Sequence, residues 1–298
     1  MSLLEVLNNI ITLLDGININ IDLLNTHKIN NKPTKTNKSP LRYPGGKTRA
    51  CKILDSVLIK HFDIDSISTI YSPFLGGGSF EFYLQNKYNF KLVCNDKFTP
   101  LYNFWYNIKT NNKKLCNKLY KKLSISKTEF KKFRNDIMKE KNPLNQSYYY
   151  FIINRCSFSG STLSGGFSEE SSKSRYTKSS IDRIAKLDLS DFEIHNKDFS
   201  NFISEDCRDM IFLDPPYYLG KGSKLYGNNG DMHEDFNHEQ LYDLIKEKKY
   251  WIMTYNNCEY IRNLYKNFKI IDASWSYGMN QTKNSSEIII LNNIGITD

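Results

Sequence analysis

The apolar residues of this chain change their period along its length, and each change predicts a different kind of structure. Leu3, Leu4, Leu7, Ile10, Ile11 and Leu14 recur at helical spacing and stop at Gly16, which predicts a short amphipathic helix. From Asn25 to Ser39 the period is lost among Asn, Lys and Thr around Pro33, the composition of a flexible arm. Residues 1–38 are therefore expected to form an N-terminal helix and arm, with the folded domain starting near Pro40. Beyond it, Ile67 to Tyr71 reads as a buried strand, the run S-P-F-L-G-G-G-S as a turn, Ser79 as the start of a helix, and Lys91 to Asn95 as a second strand. That succession is the half-module of a doubly wound parallel sheet. Further strands are predicted at Asp209 to Leu213, Trp251 to Tyr255, Phe268 to Trp275 and Ile288 to Leu291, with a helix from Asn237 to Lys248. Between the two strand-rich blocks the period turns helical, with Leu115, Leu119, Leu123 and then Phe130, Phe133, Ile137, followed by a Ser/Gly-rich loop from Ser157 to Ser180. The expected organisation is α/β, a sheet domain built from residues 39–109 and 191–298 and interrupted by a helical insertion over 110–190.

Composition narrows the function classes. An excess of 41 Lys and Arg over 32 Asp and Glu gives a net charge of +9, and 20 Tyr with 18 Phe offer rings for base stacking, a balance that suits nucleic acid. No apolar run approaches the roughly 18 residues of a membrane span, and the N-terminus lacks a signal-peptide pattern, so an intracellular protein with no membrane partner is expected. The six cysteines contain no C-x-x-C pair, and His233 and His238 miss the four-residue spacing that puts two imidazoles on one helical face. No metal site is expected.

Three motifs carry chemistry. Gly76, Gly77 and Gly78 follow a strand and open a helix, where bare backbone and helix-terminal amides can approach a ligand. A dinucleotide fingerprint would place a third glycine where Glu81 stands, which disfavours NAD. Asp96, twenty residues beyond Gly76 at the end of the next strand, is placed to accept both hydroxyls of a ribose. Asp214, Pro215, Pro216 and Tyr217 close a buried strand. There the Asp214 carboxylate and the Pro215 carbonyl become fixed acceptors for a planar amine, and Tyr217 can stack on the ring that bears it. The third motif, Leu41 to Lys47, reads L-R-Y-P-G-G-K ahead of a helical pattern.

R-Y-P-G-G-K, S-P-F-L-G-G-G-S-F, N-D, D-F at Asp198 and Phe199, and D-P-P-Y, in this order over about residues 39 to 292, resemble the motifs of the Dam-type DNA adenine-N6 methyltransferases. The resemblance implies an S-adenosylmethionine-dependent methyltransferase with a Rossmann-like sheet and a helical target-recognition insertion. It implies that Phe74, Gly76, Gly78 and Ser79 of the glycine turn hold S-adenosylmethionine, that Tyr43 and Lys47 line its methionine end with the Lys47 ammonium on its carboxylate, and that Asp96 takes the ribose. Asp198 and Phe199, sixteen residues before Asp214, would contact its adenine ring, unless Asp198 serves to cap a short helix. Asp214 would stand between cofactor and target base. The implied partner is DNA, double-stranded, with the target base flipped into the pocket and room for a companion restriction endonuclease.

Two departures from the family pattern matter. Ser72 stands where the family carries an acid before P-F, which weakens one polar contact near the cofactor. In place of N-R-x-x-Y-N-G and a later arginine, the chain has Asn154, Arg155, Phe158, Ser159, Gly160 and Leu163. A leucine cannot make the bidentate contact that reads a guanine, so a target other than GATC is expected. Arg155, Phe158 and Ser159 are the candidate base-proximal residues, and Lys121 and Lys122 lead the basic run, with Lys113, Lys114, Lys118, Lys131, Lys132 and Arg134, expected to meet phosphates. An RNA adenine methyltransferase, a DNA cytosine-N4 methyltransferase and a catalytically inactive nucleic-acid-binding relative remain as alternatives.

Overall fold

A computed structural model describes residues 36–204, 207, 209–218, 236–276 and 284–293. The helix expected over Leu3 to Leu14 lies outside them. Among the described residues, seven strands form one sheet in the order β3-β2-β1-β4-β5-β7-β6: β1 Thr69–Ser72, β2 Lys91–Asn95, β3 Phe192–His195, β4 Met210–Leu213, β5 Tyr250–Asn256, β6 Lys269–Ser276 and β7 Asn284–Asn293. The first five are parallel, and β7 runs antiparallel between β5 and β6. The doubly wound, Rossmann-like sheet expected from the sequence is therefore present. The first strand begins two residues later than its apolar run, at Thr69, and β3 escaped the pattern reading.

Helices cover both faces. Among the described residues they are α1 Cys51–His61, α2 Ser79–Lys87, α3 Thr99–Tyr120, α4 Lys127–Asp136, α5 Pro143–Cys156, α6 Glu169–Ser174, α7 Lys178–Ala185, α8 Phe199–Ser204, α9 His238–Ile245 and α10 Glu259–Leu264. The strands β2, β4 and β5 read as nearly unbroken apolar runs because they are buried on both sides. Along β4, Met210 and Phe212 face the core that contains α1 to α3, whereas Ile211 and Leu213 face the core of α8, α9 and α10. None of these helices is long and apolar enough to cross a membrane.

The helical insertion shares its core with the sheet. Leu115, Phe130, Tyr150, Phe151 and Ile181 lie in the same hydrophobic cluster as Ile70 and Leu92. α3 crosses the expected boundary near residue 110 as one helix with a kink, its non-helical residue being Asn111 at φ −134°. α4 opens on a capping box, in which Ser126 and Glu129 satisfy each other's backbone N–H. Leu123, expected on the helical stripe, falls beyond the end of α3 and is exposed. At the other boundary the fold starts before Pro40. Asn37 is buried and its amide donates to Gln85 Oε1 at 2.8 Å and to the Asp188 carbonyl at 2.9 Å.

Candidate active site

In the strand order 3-2-1-4-5 the chain reverses direction of travel between β1 and β4, and a crevice opens at the carboxyl ends of these strands. Each motif singled out in the sequence ends there. After β1, the turn is fixed by Leu75 N–H donating to the Asn95 carbonyl, Trp105 Nε1 donating to the Gly76 carbonyl, and Gly76 N–H donating to Asp96 Oδ2 at 2.9 Å. Gly76 and Gly78 hold φ of +49° and +67°, conformations that favour glycine. Bareness of the turn also serves a neighbour. A Cβ on Gly76 would come within 2.9 Å of Tyr43 Cε1, and one on Gly77 within 2.7 Å of Tyr43 Cβ. The glycines thus admit the Tyr43 ring from the R-Y-P-G-G-K segment as well as leaving backbone open to the crevice.

Asp96 is buried, and its two oxygens accept from Gly76 N–H and Phe98 N–H. Burial pushes its carboxyl up to about 6, against the pull of those two amides. Asp198 plays the capping role as its Oδ1 accepts from the backbone and hydroxyl of Ser200, while Lys97 pairs with Oδ2 at 2.8 Å. Capping and lining are compatible here, since Asp198 and Phe199 both face the crevice. Phe74, Phe199 and Phe236 form an aromatic wall with ring centroids 5.0 to 5.7 Å apart.

Register puts the D-P-P-Y acid beside a hydroxyl. Leu213 pairs with Met253, so the next residues, Asp214 and Thr254, lie side by side, and Thr254 Oγ1 donates to Asp214 Oδ1 at 2.7 Å. Lys47, 3% exposed, reaches across to both oxygens of Asp214 at 2.7 and 2.9 Å and also donates to the Gly45 carbonyl. The partner of Lys47 in this structure is therefore Asp214, where the sequence pointed to a cofactor carboxylate. The Lys47 ammonium lies 4.9 Å from the Tyr217 ring centroid, and the Tyr217 hydroxyl donates to Glu287 Oε2 at 2.5 Å. Lys47, Asp214 and Tyr217 line one cavity of about 790 Å³ together with Tyr43, Asp96 and Phe199, and Thr254 and Glu287 bond to two of them.

Three site residues were missed in the sequence: Thr254, Glu287 and Glu81. Each carries a weak signal, a polar residue within or beside an apolar run (W-I-M-T-Y, E-I-I-I-L and F-E-F). Glu81 lines the cavity, is 2% exposed and accepts from Ser72 Oγ at 2.6 Å. The serine that stands in place of the family's acid is thus in contact with a carboxyl supplied from α2.

One residue expected to contact DNA turns inward. Arg155 is 6% exposed, its guanidinium donating to the carbonyls of Arg175 and Pro40, so it is committed to the interior and meets neither base nor phosphate. Leu163 is likewise buried and lines the cavity. Phe158, in contrast, is 69% exposed beside Ser159, whose backbone is left-handed at φ +52°. Their loop is bolted to the first motif. Asn154 exchanges two hydrogen bonds with the backbone of Arg42, the Arg42 guanidinium donates to the Ser157 carbonyl and Ser171 Oγ, and a Cβ on Gly160 would sit 2.5 Å from Arg42 Cβ. Of the two leading lysines, Lys121 is exposed, while Lys122 pairs with Glu129 at 2.5 Å.

Comparison with known proteins agrees with this geometry. A family model described as D12 class N6 adenine-specific DNA methyltransferase matches residues 43–279. Among curated proteins, the type II methyltransferase M.MjaIII of Methanocaldococcus jannaschii is 24% identical over 262 residues, covering 77% of this chain and 88% of that protein.

Proposed function

Since the chain belongs to the D12 class of N6 adenine-specific DNA methyltransferases and so methylates adenine N6 in DNA, we propose that S-adenosylmethionine is its donor and that Asp214, Pro215, Pro216 and Tyr217 act on an adenine flipped out of duplex DNA. The observation that carries this reading is the clamped carboxylate of Asp214 at the mouth of a cavity that also holds Asp96 and an aromatic wall. The residues fit such a donor. Asp96 offers buried acceptors for ribose hydroxyls, Phe74, Phe199 and Phe236 offer a slot for a purine, and Gly76 and Gly78 leave the backbone bare between them.

When bound, the donor supplies an electrophilic methyl group on a positively charged sulfur that departs as a neutral thioether. The chain's own task is to present the amine. A conjugated amine is a poor nucleophile because its lone pair is delocalised into the ring. Asp214 Oδ1 is filled by Thr254 and Lys47 and Oδ2 accepts once from Lys47, so of a carboxylate's roughly four acceptor directions one on Oδ2 is left for an N6–H. The Pro215 carbonyl supplies a second acceptor, and together they draw the nitrogen toward tetrahedral geometry with its lone pair aimed at the methyl group. Tyr217, held through its hydroxyl by Glu287, stacks on the purine. Asp214 then receives the proton released as the nitrogen is alkylated.

On the recognition side, Phe158 and Ser159 enter the space left by the flipped base, and Lys113, Lys114, Lys121, Lys131 and Lys132, all exposed, meet phosphates. With Leu163 in the cavity wall, no arginine stands where GATC readers carry one, so the target differs from GATC. The likeness to a protein named as a type II methyltransferase supports a companion restriction endonuclease that cuts the same site. The test is methyl transfer to duplex DNA with wild type and Asp214→Ala, followed by long-read sequencing of the modified adenines. N6-methyladenine at one sequence, lost in the variant, is the expected result, and unchanged transfer by the variant would overturn it.

A further inference from the structure

We infer that Glu81 is the carboxylate that receives the α-ammonium group of the methyl donor, held in place for this by Ser72. The inference rests on the proposal that the donor is S-adenosylmethionine, which carries an ammonium and a carboxylate on one carbon. Recognition of such an end requires a buried anion and cation close together.

Among the described residues, four carboxyls line the cavity: Glu81, Asp96, Asp198 and Asp214. Asp96 is tied by two backbone amides beside the glycine turn, Asp198 by Lys97 and Ser200, and Asp214 by Lys47 and Thr254. Glu81 is engaged by the Ser72 hydroxyl and its own backbone N–H, and forms no ion pair among the described residues. A charged carboxyl buried to 2% exposure between Phe80 and Phe82 is costly, and a single hydroxyl does not offset that cost. A cation delivered by the ligand would. Lys47 and Asp214 are the charged groups whose fields reach Glu81 from the adjoining segments, and they are paired with each other, so the Lys47 ammonium is directed at Asp214 and not at Glu81. Ser72 sits at the end of β1 and Glu81 in the first turn of α2, so the two residues bracket the glycine turn. The acid missing at position 72 is thereby returned to the cavity from nine residues further on.

The test is calorimetric titration of wild type and Glu81→Gln with S-adenosylhomocysteine and with its analogue lacking the α-amino group. Gln keeps the acceptor for Ser72 and removes the charge. Wild type should prefer the amino ligand by on the order of 10- to 100-fold, the worth of a charge-assisted contact, and the preference should fall to about threefold or less in the variant. Equal preference in both proteins overturns the role of Glu81 and leaves the donor assignment standing. No binding of S-adenosylhomocysteine by wild type overturns the donor assignment itself. Should the variant not fold, the pH dependence of the wild-type preference decides. The titratable groups facing Glu81 are Lys47, Cys51, Cys94 and Asp214, and burial raises Glu81 to about 7. Preference for the amino ligand should then shrink between pH 8 and pH 5.5, and a preference that does not change overturns the inference.

Discussion

The hydroxyl of Thr254, within β5, donates at 2.7 Å to Oδ1 of Asp214, the residue that follows β4. It ties down one oxygen of a carboxylate that lines the cavity. Thr254→Val preserves shape and removes the donor. Single-turnover methyl transfer should slow by roughly five- to tenfold, the equivalent of about 1 kcal/mol, with donor affinity unchanged and Thr254→Ser close to wild type.

Lys47 tests which of two partners it serves. If its task is to hold Asp214, Lys47→Met lowers the transfer rate at saturating donor by on the order of 10- to 100-fold. If it serves a donor carboxylate alone, the dissociation constant rises and the saturated rate holds. Rapid-quench rates beside calorimetric affinities separate the two, and the ion pair at 2.7 Å predicts a loss in rate.

Stability should fall as pH rises. Burial lifts Glu81 from its ordinary 4.5 to about 7. A carboxyl that binds its proton more tightly in the folded protein contributes its stability in full below about pH 4.5, and that contribution is lost as pH passes through 7, amounting to at most about 3 kcal/mol. Asp96, raised to about 6, adds to the same slope at lower pH. Glu81→Gln should therefore melt higher than wild type at pH 8, and the gap should close by pH 5 in thermal melts.

Exposure predicts what Phe158 does not do. At 69% exposed it contributes little to the fold, so Phe158→Ala should leave the melting temperature unchanged. It should slow methylation of duplex DNA far more than of a single-stranded oligonucleotide, in which no base has to be extruded. Replacing Lys131 and Lys132 should weaken duplex binding at every sequence and lower the salt slope by roughly one unit per phosphate contact.

Arg155 should behave as a core residue. Its guanidinium, lowered to about 10 by burial, joins the carbonyls of Arg175 and Pro40. Arg155→Ala leaves both acceptors unsatisfied and should cost about 2–3 kcal/mol in denaturant melts. Among molecules that remain folded, the methylated sequence should be unchanged.

Apolar runs revealed β2 and β4 because strands buried on both faces have no polar alternation to blur them, and the glycine turn and D-P-P-Y fell at strand ends as their spacing required. β3 was hidden for the opposite reason. Its four residues, Phe192–His195, alternate apolar and polar at the edge of the sheet and are too short to show a period. The partners inside the site were illegible for another reason. Thr254 meets Asp214 through a register between strands, and Lys47 meets it across 167 positions of chain. Arg155 misled because adjacency to the Phe158 loop says nothing about which side of α5 an arginine faces.

Arg42 and Tyr43 are consecutive, yet one clasps Asn154 and Gly160 while the other lies on Gly76 and Gly77. The segment proposed to read DNA and the segment proposed to shape the donor pocket are therefore joined through this dipeptide. Transplanting a recognition loop from a relative would succeed only if the graft brought an asparagine and a glycine at these two places. Otherwise Arg42 would have to move, and Tyr43 would be dragged off the glycine turn with it. With the Phe158 loop in the recognition role proposed above, diversification of target sequence in this scaffold is steered toward the exposed tip around Phe158 and Ser159, where substitution leaves the dipeptide joint intact.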